Sequence, residues 1–519
     1  MPHVVTQACC GDASCVYACP VNCIHPTPEE PDFGIAEMLY IDPSTCVDCG
    51  ACVSACPVGA IVPGHRLPEG QERFADINAA AYADPMDVGA RFPVDPAMRL
   101  PLAPIDQPRR IAVDGDVTVG IVGSGPSAMY AADELLRHPS ISVTIYERLD
   151  KPFGLARYGV APDHLATRTV MRLFDDVAAN PRLDILLNTQ VGRDITLDEL
   201  RARHHAVIWA GGAPTDKRLD IPGIDAPGVA SATSFVGWYN DHPDFADLDR
   251  GERSDGKCLD LDGESALVIG NGNVALDVAR ILVSDPDALA HTTISRRALR
   301  ALRTSQVQEV IVAGRRGPEH AAFTLPELVG LVDSGVPVAV DPADLDHLDP
   351  QIPRDATDTA KLNLLREIAD RGLPAERHIR LAFFSSPLEV ITSSKGVATG
   401  VVLGRNRATA DGGVEPTGAT ITVDTSLVLT SVGYRGRPVP GLPFDESTGT
   451  ISHRSGRVYD GDDPLTGMYV TGWIKRGPSG FIGTNKTDSA ETVAALIADL
   501  ESGALGAPAA TRRRRLLAR

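Results

Sequence analysis

Nine of the ten cysteines of this 519-residue chain fall before residue 57, and their spacing limits what they can do. Cys46-x2-Cys49-x2-Cys52-x3-Cys56-Pro57 is the run in which three thiolates wrap one iron–sulfur cluster and the fourth crosses to a second one. A zinc ribbon would want two CxxC pairs separated by roughly 15–20 residues. The same frame occurs once earlier, as Cys9-x2-Asp12-x2-Cys15-x3-Cys19-Pro20, with a carboxylate where the second thiol belongs. The crossover therefore produces two unequal ligand sets. Cys46, Cys49, Cys52 and Cys19 supply four thiolates and suit a [4Fe-4S] cluster. Cys9, Cys15 and Cys56 supply three and suit a [3Fe-4S] core, because a fourth iron lacks a soft ligand. Asp12 could still hold a labile fourth iron through oxygen, and Cys10, next to a ligand, could compete for it. Outside the frame, Cys10 and Cys23 read as small apolar fillers, and Cys258 as an ordinary thiol.

A second kind of chemistry is written in glycines. The apolar run Val117-Thr-Val-Gly-Ile-Val122 leads into Gly123-Ser-Gly125-Pro-Ser127-Ala128, a strand, a tight turn and a helix whose free N-terminal amides can hold a pyrophosphate. The strand Ser142–Tyr146 then ends at Glu147, about 24 residues after Gly123, where the fingerprint wants an acid for a ribose hydroxyl. These features predict an FAD site, including Leu155 just beyond it. The pattern recurs at Ser265-Ala-Leu-Val-Ile-Gly270-Asn271-Gly272-Asn273-Val274-Ala275. Here the following strand, Glu309–Gly314, ends in Arg315-Arg316. Guanidinium forks suit a 2′-phosphate that an acid would repel, so this site is expected to take NADP(H) rather than NAD.

These residues need scaffolds. A chain of this length exceeds one core, and three or so domains are expected. The cysteine-rich head, 1–62, precedes a proline-rich linker, 63–113, in which Phe74, Ile77, Ala81 and Tyr82 recur at helical spacing and predict one short helix packed onto the head. An FAD-binding domain is expected over 114–212 and 425–503, with an NADP-binding domain inserted at 213–424 and a basic tail at 504–519. The fold class is then α/β: two Rossmann-like dinucleotide-binding domains preceded by a small α+β two-cluster domain. Residues 425–436 read as a strand rejoining the FAD sheet, and Gly467–Trp473 as another strand and turn leading to a last helix. The net charge of −19 argues against nucleic acid as a partner. No apolar run approaches the roughly 18 residues of a membrane span, and the N-terminus lacks signal-peptide character, so a cytoplasmic protein is expected. The head has no Lys or Arg before Arg66. Such an acidic surface can steer a basic partner or simply keep a small domain in solution. Arg296, Arg297, Arg300 and Arg303 could form a patch for the head or a solvent-facing helix.

The doubled cysteine motif resembles the two-cluster seven-iron ferredoxins over residues 1–62. Gly159-Val-Ala-Pro-Asp-His164, Arg315-Arg-Gly-Pro318 and the segment Ala322-Phe-Thr324 to Glu327 resemble the adrenodoxin reductase family of NADPH:ferredoxin reductases, a likeness that runs from Val117 to Leu500. That resemblance implies that His164 and Glu327 lie where nicotinamide meets flavin, with positioning or proton-balancing roles, and that Trp473, Gly480 and Ile482 line the flavin ring. NADPH delivers a hydride pair and a cluster takes one electron, which a flavin can reconcile. The expected activity is an NADPH:ferredoxin oxidoreductase with a fused ferredoxin, serving a ferredoxin or another one-electron protein acceptor such as a cytochrome P450 system. The alternative is an electron-input subunit of a larger enzyme such as glutamate synthase.

Overall fold

The computed structural model describes residues 2–82, 115–248, 259–346, 348, 355–409, 413–506 and 508. The rest of the expected linker, Cys258 and the tail from 509 onward lie outside the described residues.

The sequence repeat in the head is also a structural repeat. Helices Ser14–Ala18 and Ala51–Ala55 carry Cys15 and Cys52 and end at Cys19 and Cys56, both at φ −77°, with ψ of 116° and 115°. Two antiparallel strand pairs frame them, His3–Val5 with Ile61–Pro63 and Ile24–His25 with Tyr40–Ile41. The linker helix is Arg73–Ala80, with Phe74 and Asn78 buried. Asn78 ties it to both strand pairs: its Oδ1 accepts from Val5 N at 3.2 Å and Ile41 N at 2.9 Å, and its Nδ2 donates to Val5 O.

The first large sheet has seven strands in the spatial order His453–Arg454, Arg457–Asp460, Asp463–Val470, Ala206–Trp209, Val117–Val122, Ile141–Tyr146, Leu183–Leu186. From Asp463–Val470 onward all neighbours are parallel. Val117–Val122 is central and covered on both faces, which is why it reads as a nearly unbroken apolar run. The helices Pro126–Leu136 and Thr484–Glu501 pack together on one face.

The second sheet has six parallel strands in the order Val229–Ser231, Leu427–Thr430, Ser265–Ile269, Glu309–Ala313, His378–Ala382, Val338–Val340. One expectation is corrected here. Leu427–Thr430 does not rejoin the first sheet; it lies beside Ser265–Ile269 in the second, with Leu429 opposite Val268. A short, wholly buried apolar strand fits the middle of either parallel sheet, so its composition does not choose between them. The return comes later, where Tyr434–Arg435 pairs antiparallel with the outgoing Thr215–Asp216. A three-stranded antiparallel sheet of Ser385–Thr392, Ala398–Ala408 and Val414–Asp424 was not foreseen.

The head is packed into the body rather than tethered beside it. Its Phe33, Met38 and Leu39, with Phe74 of the linker helix, join one buried cluster with Phe323, Leu328 and Leu365, while Val58 and Ala60 join the cluster under the first sheet. Glu37 reaches the body twice: Leu325 N donates to Oε2 at 2.6 Å, and the buried Lys361 donates to Oε1 at 3.0 Å. Arg73 pairs with Glu367 at 2.9 Å. Arg296–Leu302 takes no part in these contacts. Arg297 and Arg303 pair instead with Asp247 and Asp287.

Candidate active site

A cleft of about 1330 Å³ runs between the two large sheets and the head. At its first-sheet end the glycine turn has the geometry its sequence implied. Gly123 sits at φ +94°, and a Cβ there would meet Ala210 O at 2.7 Å. Gly125 faces open space and caps the helix Pro126–Leu136, which leaves room for a phosphate against the helix N-terminus. Ser127 lines the cleft and donates to Asn485 Oδ1 at 2.8 Å, and Ala128 is buried behind it. Glu147 lines the cleft, its carboxylate fixed by Ser124 N at 2.9 Å, Ser124 Oγ at 2.6 Å and Leu149 N at 2.9 Å. Leu155, Trp473, Gly480 and Ile482 line the same space.

Asn485 is a residue that the sequence reading missed. Its Nδ2 donates to Phe481 O at 3.1 Å and Ile482 O at 2.9 Å, while its Oδ1 accepts from Ser127 Oγ and from Arg476 Nη2 at 2.9 Å. It thus locks the Gly480–Ile482 loop onto the glycine-turn helix. Nearby, Lys475 is buried between Asp488 at 2.9 Å and Glu491 at 2.6 Å, and Asp488 Oδ2 accepts from Gly472 N at 2.6 Å. These bonds anchor the Gly472–Trp473 turn.

At the other end, the helix Asn273–Val283 sends Asn273, Val274 and Asp277 into the cleft, where they meet His164, Thr324 and Glu327. Arg280, one turn beyond Asp277, is the hub of this corner. It donates to Asp163 at 2.7 Å and 3.1 Å, to Glu327 Oε1 at 3.0 Å, to Asp277 Oδ1 at 2.5 Å and to His164 Nε2 at 2.8 Å. Burial, and then the charge of Asp277, push the Glu327 carboxyl up to about 7. Burial also pushes Asp163 upward, but its Arg280 bonds outweigh that and hold it below the usual range. Asp277 and Arg280 follow Asn273 at helical spacing on one face, a signal present in the sequence and not used.

The second glycine turn is built like the first. Gly270 is at φ +113°, and Gly272 is open before the helix N-terminus, with the Asn271 side chain over Gly314. Arg315 and Arg316 follow the neighbouring strand; both are exposed and have no ion-pair partner among the described residues. Gly270, Asn271, Gly272 and both arginines lie outside the lining of the shared cleft.

Cys19, Cys46, Cys49 and Cys52 surround one small cavity together with Cys23, whose Sγ is 3.4 Å from Cys19 Sγ. Burial pushes the Cys9 thiol up to about 11, with the Cys56 and Asp12 charges adding to it. A thiol raised in this way becomes a thiolate most readily when metal charge compensates it. Asp12 is buried and held by Ser14 Oγ at 2.5 Å, with Lys486 Nζ at 3.6 Å.

Cys9 and Cys10 line the same cleft as Gly125 and Ile482. Gly483 N donates to Cys10 O at 2.9 Å, and a Cβ on Gly483 would overlap the backbone of Cys10 and Asp12. Cys9 of the expected three-thiol set thus borders the cleft, whereas none of Cys19, Cys46, Cys49 and Cys52 lines it.

Comparison with known proteins agrees with this layout. Family profiles described as 4Fe-4S dicluster domains match residues 8–60 and 38–89, and one described as an NAD(P)-binding Rossmann-like domain matches 121–189. A probable ferredoxin/ferredoxin–NADP reductase of Mycobacterium bovis is 49% identical over 98% of this chain and 86% of its own length. The chain belongs to the ferredoxin/ferredoxin–NADP reductase family. Human mitochondrial NADPH:adrenodoxin oxidoreductase is 42% identical over 74% of this chain and 79% of that protein. The NADPH-ferredoxin reductase FprA of Mycobacterium tuberculosis, solved in complex with NADPH, superposes with a TM-score of 0.70 at 43% identity, covering 76% of this chain and 87% of FprA. Like its family, this reductase is an NADPH-dependent, flavin-type oxidoreductase with a fused 4Fe-4S dicluster domain and Rossmann-like folds, and it moves electrons from NADPH toward ferredoxin-type iron–sulfur centres.

Proposed function

We propose that the reductase carries electrons from NADPH through FAD to its own head and then to a separate one-electron protein acceptor, a ferredoxin or a carrier feeding a cytochrome P450 system. FAD bound along Gly123, Gly125, Ser127, Ala128, Glu147 and Leu155 would accept a hydride pair and release single electrons. Gly270–Val274 would hold the pyrophosphate of NADPH, and Arg315 and Arg316 its 2′-phosphate. Trp473, Gly480 and Ile482 would shape the ring end. His164 and Glu327 would orient the nicotinamide, held in place by Arg280 and Asp277, and Glu327 would buffer a proton at its carboxyl near neutral pH. The flavin-binding unit then comprises 114–212 together with the chain that returns after Tyr434.

For the clusters we propose [4Fe-4S] on Cys19, Cys46, Cys49 and Cys52, and [3Fe-4S] on Cys9, Cys15 and Cys56. Engagement of Asp12 with Ser14 and Lys486 supports the three-iron form, since a carboxylate held this way is less free to ligate iron. Iron–sulfur cysteines without a disulfide among the described residues support a reducing cytoplasmic setting.

The observation that carries the reading is the contact of Gly483 N with Cys10 O, beside the cleft that Cys10 and Ile482 line. Rapid mixing with NADPH under anaerobic conditions should bleach flavin absorbance first and cluster absorbance second within one molecule. Flavin bleaching without any cluster reduction would refute the internal route.

A further inference from the structure

The docked head covers part of the body and leaves part of its own cysteine frame exposed. Where the head meets the body the surfaces are closed to a separate protein: Gly483 N donates to Cys10 O, and Gln7 lies so close to Gly330 that a Cβ there would overlap its carboxamide. None of the four-thiol set lines the cleft. Cys49 is exposed, and it shares the rim of its small cavity with Val21 and Val47. Those valines are 39% and 58% exposed, and Val53, next to Cys52, is 36% exposed. Apolar side chains collared around an exposed cluster ligand resemble the centre of a docking patch, where water is excluded at the point of closest approach.

Acids of the head flank this collar, one of them, Asp48, paired with His3 Nδ1 at 2.8 Å. Asp48 precedes Cys49. Asp42 caps the turn into Cys46, accepting from Ser44 N at 2.8 Å and from Thr45 Oγ1 at 2.7 Å. No Lys or Arg occurs in the first 65 residues. A patch of this kind attracts a partner whose own apolar centre is ringed by cations.

We infer that the Cys49 face, with Val21, Val47 and Val53, is the docking surface for the separate acceptor, and that this acceptor is a small one-electron redox protein with a basic rim. The inference rests on the internal route proposed above. It specifies where that route ends and the charge of what meets it.

The test uses the holoenzyme, with cytochrome c, a basic one-electron haem protein, as the probe. Val53→Lys and Val47→Lys place a cation in the collar at exposed positions. Leu388→Lys, on the exposed face of the three-stranded sheet, is the control. NADPH-driven cytochrome c reduction should lose at least about tenfold in kcat/KM in both collar variants, mainly through KM. Iron content should remain at the wild-type level and the control should be unaffected. The wild-type rate should also fall as NaCl is raised from about 20 to about 300 mM. An unchanged cytochrome c rate in both collar variants, or an equal loss in the control, overturns the proposal. Low-temperature EPR of NADPH-treated samples separates the two ideas. If the clusters are reduced while the collar variants behave as wild type, only the exit face is wrong. If NADPH leaves the clusters oxidised in the wild type, the internal route fails and the exit face fails with it.

Discussion

Glu327 shows how burial changes the meaning of a residue. On the sequence it is a polar group after Thr324. In the fold it shares a buried corner with Asp277, His164 and Arg280, and its carboxyl is pushed up to about 7. A raised folded-state value means that its stabilising contribution is complete below the ordinary carboxylate range and is lost as pH rises toward about 7. Glu327→Gln should therefore flatten the fall in Tm between about pH 4.5 and 7, and at pH 8 it should melt a few degrees above wild type. Melting curves recorded across that range check this. Arg315 and Arg316 are the opposite case, exposed cations whose expected partner is a ligand. Replacing both with alanine should raise the KM for NADPH by at least about tenfold and leave that for NADH within about twofold, since only the former has a 2′-phosphate to lose. Steady-state kinetics with both dinucleotides measure it.

Among the elements, the helix Thr484–Glu501 has the most tasks. Its N-terminal turn presents Gly483 to the head, Asn485 to the glycine-turn helix and Lys486 to Ser14 at 2.7 Å. At φ −69° Gly483 has an ordinary helical backbone, so the absence of a side chain there serves the close approach of Cys10 and Asp12, not the turn itself. Gly483→Val should push the head off this helix. Flavin reduction by NADPH should proceed at the wild-type rate, while cluster reduction slows at least about tenfold from the lost alignment. Stopped-flow absorbance at flavin and cluster wavelengths separates the two phases.

At the scale of the whole molecule, the head behaves as part of the body's core. Phe33, Met38, Leu39 and Phe74 are buried against the second unit's helices, and the Glu37–Lys361 pair is largely shielded from solvent. Contacts of this kind are screened far less by salt than exposed charges are. The internal flavin-to-cluster step should therefore be nearly independent of ionic strength, in contrast to delivery to a separate protein. Anaerobic single-turnover traces at low and high salt provide the comparison. Among the described residues no helix is long and apolar enough to cross a membrane.

The cysteine frame, both glycine turns and the arginine pair were legible in the sequence because each depends on residues close together in the chain: a ligand spacing, a tight turn, a strand running into a helix. The linker helix was legible for the same reason, through the spacing of Phe74 and Ile77. The sheet that takes Leu427–Thr430 was not, because a buried apolar strand has the same composition wherever it is inserted, and only its register against Ser265–Ile269 decides. Nor could the sequence say which cysteines reach the cleft. That depends on contacts across hundreds of residues, Gly483 with Cys10 and Lys361 with Glu37, which close only when all the units have folded. The sequence by itself determined which ligand spacings and glycine turns the chain carries; the tertiary structure decided which of them share a cleft and which cysteine is exposed, because proximity and exposure are properties of packing and not of spacing.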